Sequence, residues 1–295
     1  IKRCKEDVVF DAACFIILTL VLFVVAYPLY WVIISSISAP SAVSSGKVLL
    51  HPIGFTLKGY AEVFKNDQVM RGFLNSLIIT FCGVMVNLIV TLPTSYALSR
   101  SNFSGKKPIT IFYLITMFFG GGLIPTYLVI QRLQMLNTIW ALILPGCLSV
   151  YNMIVARTFF KSNISEELYE AAEIDGCTQA RFFFQIALPL SKAIIAILVL
   201  YYGVGHWNSY FSALVYISDK AKYPLQLVLR NILITNQTAL SQTATTAAAR
   251  AALQEKQQLI DVMKYSLIII SSIPVLVMYP LVQKHFVKGV MIGSM

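Results

Sequence analysis

Charged residues are scarce in this sequence, and several long stretches contain none at all. Asp, Glu, Lys and Arg make up 12% of the 295 residues, whereas hydrophobic residues make up 57%. The mean hydropathy is +0.73. Soluble domains carry about 25% charged residues, so this composition excludes an ordinary soluble protein. At this length we expect one polytopic membrane domain.

The sequence also lacks the patterns that most enzymes and metalloproteins need. It has no G-x-x-x-x-G-K-[ST] motif, so ATP cannot bind through a P-loop. The five cysteines are far apart, without a C-x-x-C pair or a His/Cys cluster, which indicates free thiols rather than disulfides or zinc. No carboxylate pair or nucleophile–base arrangement lies in the apolar stretches. We therefore expect no catalytic residue, metal site or cofactor in this chain.

The net charge of +10 comes from Lys and Arg residues that are spread over the connections between apolar stretches. No basic tract is present, so membrane topology and lipid head groups explain this charge better than nucleic acid does. The apolar stretches contain almost no ionisable groups. Because proton-coupled transporters usually need buried Asp, Glu or His, this absence argues against that class.

Six apolar stretches are each long enough for a spanning helix of about 20 residues. We predict an all-α membrane protein with transmembrane helices near residues 12–38, 73–98, 108–130, 138–160, 193–216 and 265–282. Residues 1–11 would form a cytoplasmic N-terminal segment, and residues 12–295 a single transmembrane domain. The first stretch also has features of a signal peptide, but its length and the five later spans favour a spanning helix. Because the chain starts at Ile1 rather than Met, we expect terminal residues to be missing.

The charges of the short connections predict the orientation. The short connections on the same side of the membrane as the N-terminus carry most of the Lys and Arg residues. The short connection between the third and fourth spans carries only Arg132. The positive-inside rule therefore predicts that both termini and the loop at 162–189 are cytoplasmic. The loop at 217–263 would be extracytoplasmic. Its Ala/Thr/Gln-rich part would face a partner, with a flexible linker as the alternative.

The loop at 162–189 concentrates acidic residues within ten positions: Glu166, Glu167, Glu170, Glu173 and Asp175. Ser165 is a good N-cap and Gly176 suits the left-handed residue that ends a helix, so we predict a short helix between them. Leu168, Ala171 and Ala172 would form a small apolar patch rimmed by carboxylates. Such a surface fits a groove in a basic partner. The alternative is a solvated loop helix without a partner.

The same loop carries a long motif. Glu170-Ala171-Ala172, then Gly176, then Ile186-Ala187-Leu188-Pro189 reproduce the pattern EAA-x3-G-x9-I-x-LP without a mismatch. The chain therefore resembles the inner-membrane permease subunits of binding-protein-dependent ABC importers. Four further segments are similar to the MalG-like, LplC/YtcP-type branch of carbohydrate permeases: FFGGGLIPTY at 118–127, HWNSY at 206–210, YPLQ at 223–226 and QKHFVKGVMIGS at 283–294.

This resemblance implies a type I ABC importer (MetI-like) permease fold with six transmembrane helices and a cytoplasmic coupling helix. It implies a heterodimer with a longer MalF-like permease subunit, with a homodimer as the alternative. A dimeric ATP-binding cassette ATPase would carry ATP and Mg²⁺, and an extracytoplasmic solute-binding protein would deliver the substrate. The implied substrates are oligosaccharides released from polysaccharides, some of them containing uronic acid.

The resemblance also assigns ATPase coupling to ten residues of the loop: Glu166, Glu167, Glu170, Ala171, Ala172, Asp175, Gly176, Ile186, Leu188 and Pro189. A path for sugars needs aromatic rings and polar groups, and both types are combined at Asn87, Tyr201, Tyr202, His206, Trp207, Asn208 and Tyr210. The alternative for this second set is helix packing or an interfacial aromatic belt.

Other functions remain as alternatives to sugar import. The chain could be a permease for another small solute, or a secondary transporter that works without an ATPase. A membrane-embedded enzyme, such as a glycosyl- or phosphotransferase, would need acidic or His residues clustered at a membrane face, and the sequence has no such cluster.

Overall fold

The computed structural model describes residues 5–238 and 247–290, and the regular elements within these residues are all helical. In chain order the α-helices are α1 (Lys5–Ser36), α2 (Pro40–Ser44), α3 (Lys58–Lys65), α4 (Asp67–Ser99), α5 (Lys106–Phe118), α6 (Leu123–Arg132), α7 (Trp140–Ile143), α8 (Val150–Asn163), α9 (Glu166–Ile174), α10 (Gln179–Phe182), α11 (Leu188–Leu190), α12 (Lys192–Trp207), α13 (Phe211–Tyr216), α14 (Leu225–Thr238) and α15 (Ala247–Val290). The predicted all-α class is confirmed.

Parts of three predicted segments lie outside the described residues. These are the first four residues of the N-terminal segment, residues 239–246 of the loop at 217–263, and the last five residues of the chain. The described part of that loop is largely helical, since α14 and the beginning of α15 fall within it. The helix that contains the predicted sixth span thus begins at Ala247 rather than near residue 265.

Within the described ranges, three continuous segments are long and apolar enough to cross a membrane: Val9–Ser36, Asp67–Ser99 and Gln257–Pro280. Three bent pairs pass the same test only when their halves are taken together: α5 with α6, bent by 113°; the α7 segment with α8, bent by 52°; and the segment from α10 to α11 with α12, bent by 80°. By length and composition, the described residues therefore hold up to six spans.

Each bend falls at residues that interrupt helical hydrogen bonding. Gly122, between α5 and α6, has a φ of +85°, which side-chain-bearing residues rarely adopt. Pro145 lies in a 3₁₀ turn between α7 and α8. Ahead of α12, a π-helical turn at Phe183–Ala187 precedes Pro189, which has no N–H to bond the carbonyl four residues back. Such breaks in a membrane require surrounding protein or water to satisfy the freed backbone groups.

The predicted fifth span, 193–216, is shorter as a continuous helix than expected. α12 ends at Trp207, and α13 begins only at Phe211. The hydroxyl of Ser209 donates to the carbonyl of His206 at 3.0 Å. Such a local side-chain bond competes with the backbone ladder and favours the end of a helix.

The chain divides into two compact units. The first unit comprises residues 1–70 and 229–272. Its buried residues include Ile34, Val43, Val48 and Val262. The indole N–H of Trp31 donates to the carbonyl of Val48 at 2.8 Å, which fixes the chain segment after α1 against that helix.

The second unit comprises residues 71–228 and 273–295, and two buried clusters are found among its described residues. One cluster surrounds the acidic loop and is formed chiefly by aromatic and aliphatic side chains: Leu92, Tyr96, Phe160, Ile164, Tyr169, Phe182, Phe183, Ile194, Leu198 and Tyr202. The other is built around Ile79, Ile130, Leu142 and Leu227. The hydroxyl of Ser76 accepts from the backbone N–H of Leu225 at 2.8 Å, so the start of α14 is held on α4.

A matched pair of glycine substitutions tests the packing of α3 on α15. A Cβ atom at Gly59 would lie 2.5 Å from Ser266 Oγ and 2.8 Å from Val262 Cγ1, whereas one at Gly205 would meet nothing within 4 Å. We expect Gly59→Ala to lower the unfolding free energy by about 1–3 kcal/mol through overpacking. Gly205→Ala should leave it unchanged or raise it slightly, because alanine favours helix. Thermal unfolding in detergent measures both, and equal midpoints for the two variants would contradict the close approach.

Candidate functional site

The acidic helix α9 has the predicted ends. Ser165 Oγ accepts from the backbone N–H of Leu168 at 3.3 Å, which caps the N-terminus. At the other end Gly176 has a φ of +76°, the left-handed conformation that closes a helix. The backbone N–H of Cys177 donates to the carbonyl of Ala172 at 2.9 Å and completes this closure. Glu166 and Glu167 occupy the first turn, where the helix dipole favours negative charge.

The inner face of α9 packs against the rest of the second unit. Tyr169 is 4% exposed, and its ring meets that of Phe182 edge to face, with centroids 5.3 Å apart. Ala172 is half-buried against the same cluster. α9 is thus a fixed part of the second unit rather than a loosely attached loop.

The outer face of α9 points away from the described residues. Glu167, Glu170 and Ala171 are exposed, and Ile174 is 87% exposed. The Ala171-Ala172 pair is therefore divided, because only Ala171 lies on the outer face. Asp175 and Gly176 are exposed at its end. Sequence reasoning missed Ile174, although its position three residues after Ala171 places it on the same helical face.

A buried arginine at the end of α4 holds α9 in place. Arg100 is 6% exposed, and its Nη2 donates to the carbonyl of Ile164, just before α9, at 3.1 Å. Its guanidinium lies 3.8 Å from the carboxylate of Glu166. The guanidinium carbon is 5.4 Å from the ring centroid of Tyr96 and 5.8 Å from that of Tyr169, within range of cation–π attraction.

Glu166 is accordingly bound within the chain itself. Besides the ion pair with Arg100, its carboxylate accepts from the hydroxyl of Ser101 at 2.5 Å. Lys106 Nζ donates to the carbonyls of Arg100 and Ser101, which fixes the turn after α4. Of the carboxylates assigned to coupling, Glu166 thus positions α9, whereas Glu167 and Glu170 stay on its outer face.

The segment after α9 packs on the aromatic cluster through two of the predicted side chains, Ile186 and Leu188, and through two further, fully buried ones. Thr178 caps α10 by accepting from the N–H of Arg181 at 3.3 Å. Ile186 and Leu188 lie half-buried against the aromatic cluster, and Pro189 is exposed. The fully buried anchors are Phe182 and Ala187, which the motif does not mark by role.

Four of the seven residues assigned to a sugar path form packing and hydrogen-bond contacts within the second unit. Asn87 is 0% exposed; its Nδ2 donates to the carbonyl of Gly146 at 2.8 Å, and its Oδ1 lies 2.7 Å from His206 Nε2. Gly83 leaves room for that imidazole, since a Cβ there would lie 2.5 Å from Nε2. Both ends of the Asn87 amide are thus engaged by protein groups rather than free for a sugar.

The other two members of this group are aromatic. The hydroxyl of Tyr202 is paired with Thr91 Oγ1 at 2.7 Å and accepts from the N–H of Ser149 at 3.2 Å. The ring of Trp207 meets that of Phe73 edge to face, with centroids 5.7 Å apart. The three remaining residues of the predicted path are exposed: Tyr201, Asn208 and Tyr210. The structure therefore brings Asn87 and His206 together, but separates the packed members from the exposed ones.

Among the described residues, no group of three His, Cys, Asp or Glu side chains is arranged to hold a metal ion. No family model matches the chain. The chain is 35% identical, over 97% of each chain, to the polygalacturonan/rhamnogalacturonan transport system permease protein YtcP of Bacillus subtilis. It is 38% identical to protein LplC of the same organism, over 98% of this chain and 96% of that protein.

The fold is also similar to a solved structure. A chain in the crystal structure of a bacterial ABC transporter involved in the import of the acidic polysaccharide alginate matches with a TM-score of 0.86. The match covers 96% of this chain and 99% of that chain, at 27% sequence identity.

Replacement of Arg100 tests whether it holds α9. We expect Arg100→Gln to speed backbone hydrogen exchange at residues 165–176 by about tenfold or more, because a buried charge-assisted hydrogen bond is lost. The exchange rate in Arg100→Lys should lie between those of the unsubstituted protein and Arg100→Gln, since lysine keeps the charge but not the planar guanidinium. Lys161→Gln, at an exposed position on the same side, serves as the control. Unchanged exchange in Arg100→Gln would show that α9 is held by its aromatic contacts alone.

Proposed function

This chain belongs to the permease subunits of sugar ABC importers, and we propose that it forms part of an ATP-driven importer of polysaccharide-derived oligosaccharides, including those with uronic acid. Two similarities support this substrate class. One relative is named for polygalacturonan and rhamnogalacturonan transport. The similar solved structure belongs to a transporter for alginate, which is also an acidic polysaccharide.

The chain needs a separate source of energy because it has no P-loop. We infer that the energy comes from a dimeric ATP-binding cassette ATPase that binds ATP and Mg²⁺ and docks on the outer face of α9. The observation that carries this inference is the exposure of Ile174, 87%, on a helix that is otherwise rimmed by carboxylates. The exposed isoleucine follows Ala171 and Leu168, which are also exposed and precede it at intervals of three residues, and such a row suits an apolar pocket in a partner's groove.

Charge fits the same partner. Glu167 and Glu170 flank the apolar residues of the outer face, and neither is paired within the described part of the chain. They would meet basic residues of the ATPase and set the register of docking. Gly176 would then supply the sharp turn that leads to α10, since its left-handed φ disfavours any residue with a side chain.

A rigidly held helix can transmit the movement of a bound partner to the rest of its subunit. Because Tyr169 and Arg100 attach α9 to α4 and to the aromatic cluster, displacement of α9 by closure of the ATPase dimer would move the second unit as well. The spans would switch between inward- and outward-facing states by such rigid-body motion.

The remaining partners follow from this assembly. A second permease subunit of the MalF-like kind would complete the translocation path, and an extracytoplasmic solute-binding protein would deliver the oligosaccharide. The chain is a multi-pass protein of the cytoplasmic membrane. We propose that both termini, and α9 with them, lie on the cytoplasmic side, as the distribution of Lys and Arg favours.

Substitutions on the outer face of α9 test the docking. We expect Ile174→Glu and Glu170→Arg each to abolish copurification of the ATPase and sugar uptake. Ile174→Glu would place a charge in the apolar pocket, and Glu170→Arg would place a positive charge opposite basic residues of the ATPase. Gly176→Pro should have the same effect through the turn. Glu173→Gln is the matched control, as an acidic residue on the same helix with an exposed side chain. Insertion into the membrane should be normal in all four variants, and normal uptake in Ile174→Glu would disprove docking at this face.

A further inference from the structure

A cavity of about 460 Å³ lies in the second unit, between α8, α12 and the C-terminal half of α15. It is lined by Asn152, Leu200, Tyr201, Val204, Val275 and Tyr279. The cavity is wide open on one side. Its volume falls within the range of small-molecule sites, and its lining combines apolar and aromatic side chains with a single amide. Of the residues that sequence analysis assigned to a sugar path, only Tyr201 borders it.

The side-chain amide of Asn152 has no hydrogen-bond partner among the residues that the structure describes. Asn152 is 7% exposed. Its backbone N–H donates to Ser149 Oγ, but its side chain makes no hydrogen bond within the part of the chain that the structure describes. The amide atoms are not among the buried, unpartnered side-chain atoms of the described residues, so they open into the cavity, where lipid tails could not supply a hydrogen bond. The amide therefore faces a polar ligand or water in the cavity. Asn87 differs in this respect, because both ends of its amide are already bonded.

The depth of the cavity is that of a translocation path. Asn152 lies nine positions from Lys161, Tyr201 nine from Lys192 and Tyr279 nine from Lys288, each along its own helix. At about 1.5 Å per residue this is roughly 13 Å from the charged end, close to the middle of a hydrocarbon core about 30 Å thick. At this depth the amide is placed to contact a polar solute that crosses the membrane.

We propose that this cavity is a subsite for one sugar ring of the transported oligosaccharide. Asn152 would donate to and accept from neighbouring ring hydroxyls, and the exposed rings of Tyr201 and Tyr279 would cover the apolar faces of the sugar. No Lys, Arg, Asp or Glu is among the described residues that line the cavity. The subsite would therefore recognise hydroxyls and ring shape but not a carboxylate, so it would treat neutral and uronic sugars alike. The inference rests on the proposed function.

A second cavity of similar size shows why the amide matters. It measures about 470 Å³ and is bordered by α6, with Pro125, Thr126 and Val129 among its lining residues. The hydroxyl of Thr126 is already bonded to the carbonyl of Gly122 at 2.8 Å, and the remaining lining is almost wholly apolar. The described residues that line this cavity include no side-chain amide, and we expect no sugar to bind there.

The test compares sugar uptake with ATP hydrolysis in the same proteoliposomes, which hold the complete importer and a binding protein loaded with either a neutral oligosaccharide or an oligouronide. We expect Asn152→Ala to lower the number of sugars carried per ATP by about tenfold, because the hydrogen bonds to the ring are lost. The loss should be equal for both substrates. Binding-protein stimulation of the ATPase should persist, since docking of both partners is unaffected.

Further variants separate binding from folding. Tyr279→Leu should also lower the number of sugars carried per ATP, which is the transport ratio. Tyr201→Phe keeps the aromatic ring and should therefore retain a higher transport ratio than Tyr201→Leu. Asn163→Ala, on the exposed end of the same helix α8, should have no effect on the transport ratio. Asn152→Ala should not lower the midpoint of thermal unfolding, because no hydrogen bond within the described chain is removed.

Several results would overturn the subsite. One is an unchanged number of sugars carried per ATP in both Asn152→Ala and Tyr279→Leu. Another is a decrease in this number that is confined to the oligouronide. The third is failure of Asn152→Ala to copurify with the second permease, which would indicate that the cavity is a subunit interface. Absence of ATPase stimulation in the unsubstituted importer is distinguishable from these results. It would remove the proposed function, and the subsite with it.

Discussion

The buried guanidinium of Arg100 is the contact that joins the acidic helix to the membrane-spanning part of the second unit. It bonds the backbone just before α9, lies beside the carboxylate of Glu166 and is covered by the rings of Tyr96 and Tyr169. A charge removed from water needs such partners to remain folded inside. Because these partners come from α4 and from the first turns of α9, a force on α9 is transmitted directly to a span.

The same requirement for partners distinguishes structural from candidate ligand-binding residues within the membrane. Asn87, His206 and Tyr202 are hydrogen-bonded to one another's helices or to nearby backbone, so they stabilise the packing of α4 with α12 and α8. Asn152 has the same chemistry but no such bond among the described residues. Residue type alone therefore does not indicate which amide in a span is available to a sugar; its hydrogen-bond partners do.

Local signals were sufficient for the fold class and for the ends of α9. Ser165 and Gly176 act through atoms three or four residues away, so their roles can be inferred from adjacent positions. The contact of Arg100 with Ile164 joins residues 64 positions apart, and no local pattern predicts it. The end of α12 at Trp207 was also missed: Asn208 and Ser209 interrupt the helix there, but apolar residues resume at Tyr210 and the whole stretch is long enough for one span. The cavity depends on three helices distant in sequence, which composition cannot bring together.

The ATPase activity of the reconstituted importer shows whether this chain couples ATP hydrolysis to sugar import. The complex would contain this chain, its partner permease and the ATPase, and would be assayed with a binding protein loaded with oligouronides, with neutral oligosaccharides or left empty. We expect strong stimulation of ATP hydrolysis by the binding protein loaded with oligouronides. If no ATPase copurifies, or if none of the loaded binding proteins stimulates ATP hydrolysis, the chain does not act in this importer. The outer face of α9 would then dock something other than an ATPase.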